Sequence, residues 1–232
     1  MIRGLLADLD DTVYDYLPAH RAGMAAAVPA IAHALGLTPA AAEKAWNGGR
    51  DTVKGRLCAT ASSHSRLLYL AELVHAAGRA DALAAVRGWD RAYWTAFLDA
   101  ARLRPFAIEL FAGFRASGGK VAIVTDLMLD VQLWKLEKFG LFPHIDALVA
   151  SEEVPRDKPA PEIFQLALAR LGLRADECVM IGDHAKKDGQ GALALGIPFH
   201  QVVSSERPDD GGKTLAEIAA ILNPKTNVKE PA

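Results

Sequence analysis

The segment Leu5-Leu6-Ala7-Asp8-Leu9-Asp10-Asp11-Thr12 runs apolar and then turns abruptly acidic, with carboxylates at i and i+2 and a hydroxyl two residues further on. A short apolar run bounded by polar residues reads as a buried parallel strand, which restricts the chain to folds whose sheet is covered on both faces. Asp8 and Asp10 then emerge at the carboxyl end of that strand, where open α/β sheets bind ligands. Carboxylates crowded there repel one another. A hard divalent cation with oxygen ligands, Mg2+ above all, relieves the repulsion and makes phosphate the expected substrate group. The competing reading is an acidic surface turn, and three further segments bear on the choice.

Lys120-Val121-Ala122-Ile123-Val124-Thr125-Asp126 is a second β-branched run ending in a hydroxyl and a carboxylate. Thr125 is expected level with Asp8 if the two strands are neighbours, placing a hydroxyl where it can donate to phosphoryl oxygens; a Thr-Asp pair that only starts a turn is the alternative. In Lys158-Pro159-Ala160-Pro161-Glu162-Ile163-Phe164, the prolines fit the opening of a helix whose apolar face runs Ile163, Phe164, Ala167, Leu168 and Leu171. Lys158 on that stiffened lead-in suits neutralisation of a phosphate or a crowded carboxylate, or else is simply solvated. Finally, Val179-Met180-Ile181-Gly182-Asp183 runs a strand into a glycine turn, with Asp188 five positions on. Asp183 can reach a cation at the sheet edge, whereas Asp188 is either part of the same site or a helix N-terminal charge.

From about residue 102 onward, strand and helix patterns alternate: helix 106 to 117, strand 120 to 124, helix 129 to 139, strand 145 to 150, helix 160 to 171, strand 178 to 181, helix 187 to 195, strand 199 to 203, helix 213 to 222. Alternation of this kind builds βαβ units and a parallel sheet. Between Thr12 and Arg102 the pattern is helical, with Ala-rich stretches near 18 to 36, 39 to 48, 64 to 78 and 80 to 100, and Thr38-Pro39 as an N-cap and first-turn pair. With 232 residues and 51% apolar content, the chain suits one domain plus an insertion. A net charge of -2 gives no electrostatic footprint for nucleic acid. No apolar stretch approaches a membrane span and no secretory pattern precedes the first strand, so a cytoplasmic protein without a membrane partner is expected. Cys58 and Cys178 read as small reduced core residues, and Trp46, Trp89, Trp94 and Trp134 as helix-borne core.

Asp8-Leu9-Asp10-Asp11-Thr12, Thr125, Lys158-Pro159 and Gly182-Asp183 with Asp188 resemble, in order and spacing, the four motifs of the haloacid dehalogenase superfamily. The resemblance covers roughly residues 1 to 15 and 102 to 205. It implies a Rossmann-like doubly wound parallel sheet core, residues 1–15 and 102–223, with an inserted all-helical cap, residues 16–101; residues 224–232 are expected to be a disordered tail. It further implies a phosphatase in which Asp8 is the nucleophile and Asp10 the acid and base. Mg2+ would be held by Asp8, the backbone carbonyl of Asp10 and Asp183, with Asp188 supporting, and the phosphoryl oxygens by Thr125 and Lys158. The expected partner is a small phosphorylated metabolite, a sugar phosphate or nucleotide-like compound, with the protein a monomer or homodimer. A 2-haloacid dehalogenase, a phosphomutase and a non-catalytic binding protein on the same core remain alternatives. Two positions depart from the common pattern: Asp11 where Gly is frequent and Asp126 where Asn is common.

Selection of the leaving group falls to the helical segment. Its polar and basic candidates are Asn47, Arg50, Arg56, Ser62, Ser63, His64 and Arg66, with Tyr14, Asp15, Tyr16 and His20 near the hinge. Ser62 to Arg66 reads first as a capping turn, and His184 as a solvent-facing loop residue.

Overall fold

The computed structural model describes residues 2–203 and 211–222. The chain divides into two compact units, Met1–Tyr16 with Arg102–Ala232, and Leu17–Ala101. The expected tail at 224–232 lies outside the described residues. After the first strand, β1 (Gly4–Ala7), the chain forms four helices: α1 (Tyr16–Leu35), α2 (Pro39–Arg56), α3 (Arg66–Ala76) and α4 (Val86–Ala100).

The Thr38 hydroxyl accepts from the Ala41 N–H at 3.2 Å and opens α2 ahead of Pro39, the arrangement those two residues favour. The sequence pattern ends this helix at about 48, yet it continues to Arg56 through Gly48 and Gly49. The reason is tertiary: a Cβ at Gly49 would stand 2.4 Å from the Tyr69 carbonyl oxygen, so glycine is what lets α2 lie against α3. The expected helix 80 to 100 is instead a 3-10 turn, Ala80–Ala85, followed by α4. Trp46, Trp89 and Trp94 are buried in this unit, with Tyr93 between Trp46 and Trp94.

The first unit, begun by β1, continues with α5 (Ala107–Ala116), β2 (Lys120–Thr125), α6 (Leu129–Phe139), β3 (Ala147–Ala150), α7 (Pro161–Leu171) and β4 (Cys178–Gly182). A π-helical turn, Ala185–Gln190, leads into α8 (Gly191–Leu193), β5 (Phe199–Gln201) and α9 (Leu215–Leu222). The single helix expected over 187 to 195 is therefore split. All strand pairs are parallel, in the order β3-β2-β1-β4-β5.

Leu6, Ala122, Val124, Val149 and Met180 send their side chains into one apolar layer with Ile163, Phe164, Ala167 and Leu171 of α7. By strand alternation Leu5, Val121 and Ile123 turn to the opposite face, where α5 lies against β2. Burial on both faces explains why these strands read as continuous apolar runs. The connections run from β1 to β2 and β3 on one side, then return to β4 and β5 on the other. The topological switch point thus falls between β1 and β4, and ligands bind at the carboxyl ends there in sheets of this type. No single helix among the described residues is long and apolar enough to cross a membrane.

Two expectations about apolar residues fail. Trp134 is 43% exposed, on the outer side of α6, and Cys58 is exposed, just beyond the end of α2. Both had helical or apolar neighbours in sequence, but the face they occupy is set by packing rather than by composition.

Candidate active site

The ends of β1 and β4 bring Asp8 and Asp183 to the switch point. Ala7 lies opposite Ile123 in β2 and opposite Ile181 in β4, so continuing the register puts Asp8 level with Val124 and Gly182. Thr125 and Asp183 each stand one residue beyond it. Thr125 is therefore not level with Asp8 as expected, because β2 runs one residue further before its polar end.

Asp8 is buried, and its carboxylate accepts two hydrogen bonds. Lys158 Nζ donates to its Oδ1 at 2.5 Å, and the Thr12 hydroxyl donates to its Oδ2 at 3.0 Å. Thr12 in turn accepts from the Asp183 N–H at 3.0 Å, tying the end of β1 to the end of β4. Burial raises the Asp8 carboxyl well above the usual carboxylate range; the Lys158 ammonium pulls it down, and Asp188 and Asp183 push it up again.

Lys158 is buried before α7 and makes three donations: to Asp8, to Asp188 Oδ1 at 2.7 Å and to the Val124 carbonyl at 3.0 Å. Burial works against its charge, but Asp188, Asp8 and Asp126 outweigh burial and hold the ammonium well above the ordinary lysine range. A solvated lysine, the alternative reading, is excluded by this placement.

Asp188 is 1% exposed on the π-helical turn, with Oδ2 accepting from the His184 N–H at 3.1 Å. It is not a surface charge at a helix start. Gly182 makes room for it: a Cβ there would meet Asp188 Oδ2 at 2.4 Å. His184 is half-buried, and its Nδ1 accepts from the Lys187 N–H at 3.4 Å.

Asp8, Asp183 and Asp188 each offer a carboxylate oxygen, the three lying within 4.8 Å of one another and all buried. Lys158 pairs with Asp8 and Asp188, and the three carboxylates crowd negative charge into a poorly solvated place. That is the condition a hard divalent cation with oxygen ligands satisfies. The Asp10 side chain lies outside this trio. Its Oδ1 accepts from Lys135 Nζ at 2.5 Å and from the Tyr14 hydroxyl, and its Oδ2 from Gln132 Nε2 at 3.5 Å, which accords with the backbone carbonyl as the metal ligand the resemblance implies.

Thr125 is buried and fixed by Gln132, whose Nε2 donates to Thr125 Oγ1 and to the Asp126 carbonyl, each at 2.7 Å. Gln132 Oε1 is buried without a hydrogen-bond partner. The Asp126 carboxylate accepts from the Lys158 N–H at 2.9 Å and from Lys187 Nζ at 2.8 Å, so its charge is engaged by the chain itself. Asp11 has a left-handed φ of 61°, which explains why glycine is common at this position and why Asp, more tolerant of that region than most residues, replaces it. Arg104 anchors the turn with Nη2 at 3.3 Å from Asp11 and Nε at 2.8 Å from Asp15, and also donates to the Val203 carbonyl.

Sequence reading missed Gln132, Lys135 and Arg104. A signal existed for the first two: they share the buried face of α6 with Val131, Leu136 and Phe139, so polar residues stand on an apolar stripe. Arg104 carries no such mark.

In the helical unit, Ser65 caps α3 by accepting from the Leu68 N–H at 3.3 Å, as the capping reading expects. Arg66 is buried, donates to the His64 carbonyl at 2.7 Å, and lies 5.6 Å from the Tyr93 ring centroid and 5.1 Å from that of Trp94. His20 Nδ1 meets the Tyr93 hydroxyl at 2.7 Å. Burial, with Arg66 and Arg50 adding to it, lowers His20 to about 4.

The chain is similar to known proteins over most of its length. A ribulose-1,5-bisphosphate 5-phosphatase of Halopiger xanaduensis is 39% identical over 215 residues, spanning 90% of this chain and 88% of that protein. A glyceraldehyde 3-phosphate phosphatase of Methanocaldococcus jannaschii is 30% identical over 210 residues, with the same coverage of 90% and 88%. Among solved structures, a 2-haloacid dehalogenase from Pseudomonas syringae pv. Tomato DC3000 superposes with a TM-score of 0.76 at 20% identity, over 97% of this chain and 100% of that one, a likeness of fold. The sequence model of the haloacid dehalogenase-like hydrolases matches residues 2–196, and the chain belongs to that family.

Proposed function

We propose that this hydrolase is a Mg2+-dependent phosphatase that cleaves a small phosphorylated metabolite through an aspartyl-phosphate on Asp8. The observation that carries the reading is the buried carboxylate trio of Asp8, Asp183 and Asp188 at the switch point, two of whose members pair with the Lys158 ammonium. Asp8, the backbone carbonyl of Asp10 and Asp183 would hold the cation. Asp188, both of whose oxygens accept from this chain's own donors, supports them. When bound, Mg2+ neutralises the carboxylates and polarises a phosphoryl oxygen.

The residues then divide the work. An Asp8 oxygen attacks phosphorus as the bond to the leaving oxygen breaks, and the proton of the Asp10 carboxyl passes to that oxygen to release the alcohol. Asp10, now a carboxylate, takes a proton from water; the water oxygen attacks phosphorus, the bond to Asp8 breaks, and inorganic phosphate leaves. Thr125 and Lys158 hold the remaining phosphoryl oxygens. Relatives named for ribulose-1,5-bisphosphate and glyceraldehyde 3-phosphate support a short sugar phosphate as substrate. The helical unit Leu17–Ala101 takes the part of the cap that selects the leaving group.

A panel of phosphorylated metabolites assayed for phosphate release, with EDTA and with Mg2+, tests the reading. Release from a sugar phosphate that needs Mg2+ is the expected result. Chloride release from 2-chloropropionate with no phosphate release from any ester would replace it with the dehalogenase alternative.

A further inference from the structure

The side chain of Asp10 is gripped from α6 and from the loop after β1. Lys135 is fully buried, a rare position for a lysine, and its Nζ reaches Asp10 Oδ1 at 2.5 Å while lying 5.8 Å from the Tyr14 ring centroid. The Tyr14 hydroxyl donates to the same oxygen. Tyr14 is itself buried, with its ring 5.0 Å from that of Phe139 on α6. These two donors converge on Oδ1, and both come from side chains that packing holds in place; Oδ2 accepts a longer bond from Gln132 Nε2 at 3.5 Å.

We propose that Lys135 is a positioning residue for proton transfer: with Tyr14 it fixes Asp10 by Oδ1 and so sets the orientation of the carboxyl group that exchanges the proton with the leaving group and with water. The inference rests on the proposed phosphatase reading and adds a residue to it. A flexible carboxylate on an exposed loop would sample many orientations. Pinning one oxygen with a charge-assisted bond removes that freedom before the substrate arrives. In this role Lys135 acts through Asp10, the carboxylate its Nζ reaches.

The test compares wild type, Lys135→Met, Tyr14→Phe, Asp10→Asn and the double variant Lys135→Met with Asp10→Asn, all full-length with Mg2+. Two substrates are used: p-nitrophenyl phosphate, whose leaving group needs little protonation, and glycerol 3-phosphate, whose alkoxide needs it. Because acid catalysis is worth ~10²–10⁴-fold, Lys135→Met is expected to lower kcat on glycerol 3-phosphate at least ~30-fold and on p-nitrophenyl phosphate less than ~3-fold. Tyr14→Phe, which keeps the ring and the fold, is expected to shift the same ratio in the same direction by a smaller factor. The double variant should be no slower on glycerol 3-phosphate than Asp10→Asn alone, since both changes remove one function. Equal losses on both substrates, losses that follow the melting temperature, or additive effects in the double variant would overturn the proposal. Asp8→Asn serves as the control for the underlying reading: if it retains activity, the aspartyl-phosphate mechanism fails, whereas an inactive Asp8→Asn beside an indifferent Lys135→Met removes Lys135 alone.

Discussion

Lys158 Nζ lies 2.5 Å from Asp8 Oδ1, joining residues 150 positions apart in sequence, and the same ammonium reaches Asp188 at 2.7 Å. One cation thus serves two of the three buried carboxylates. Removing it by Lys158→Met leaves buried charge uncompensated, a change worth about 3 to 5 kcal/mol when a buried pair is broken. The expected outcome is a large drop in melting temperature, with a stabilisation by millimolar MgCl2 greater than in wild type. Melts with EDTA and with Mg2+ read this without any assay of activity.

Asp8→Asn should fold normally and lose several orders of magnitude in turnover, because an amide is a poor nucleophile. Phosphate release measured beside circular dichroism separates chemistry from folding. Turnover within tenfold of wild type would rule out the covalent route.

Gly182→Ala places a methyl group 2.4 Å from Asp188 Oδ2 and cannot be accommodated while Asp188 keeps its contacts with Lys158 and the His184 N–H. We expect a destabilisation of about 1 to 3 kcal/mol and activity reduced at least tenfold, from displacement of Asp188. Denaturant titration together with kcat/KM checks both halves.

His20 gives the helical unit a pH dependence. Its pKa is lowered from 6.5 to about 4, chiefly by burial, so the unfolded chain binds the proton more readily than the folded one. The stability it contributes is fully present above pH 6.5 and is lost as pH falls towards 4. Its part-exposure limits the effect to about 1 to 2 kcal/mol. His20→Asn should flatten the dependence of melting temperature on pH in that window, and an unchanged slope would show that other groups control it.

Arg66, a polar candidate in a segment that reads first as a capping turn, is buried against Tyr93 and Trp94. Arg66→Met should cost about 1 to 3 kcal/mol through lost ring contacts and the lost bond to the His64 carbonyl. Arg50→Ala, whose side chain is 46% exposed, should leave stability within about 0.5 kcal/mol of wild type. Melts of the two variants distinguish a packed arginine from a solvated one.

The amino-acid sequence by itself determined the parallel α/β core and the strand ends at Asp8, Thr125 and Asp183. These are local patterns: buried parallel strands are continuously apolar, and the first polar residue after each run marks where the strand emerges. The Thr38-Pro39 cap and the capping turn within Ser62 to Arg66 were legible for the same reason, since a cap is satisfied within one turn. Only the tertiary structure decided the register that sets Thr125 one residue ahead of Asp8 and the continuation of α2 through Gly49. It also decided the exposure of Trp134 and the burial of Asp188, Arg66, Gln132 and Lys135. Each depends on which distant atoms meet a side chain, such as the Tyr69 carbonyl above Gly49 or Asp10 facing Lys135 across 125 positions. A polar residue on an apolar stripe shows from sequence that something unusual lies opposite it, but packing alone supplies the partner that makes a buried charge tolerable.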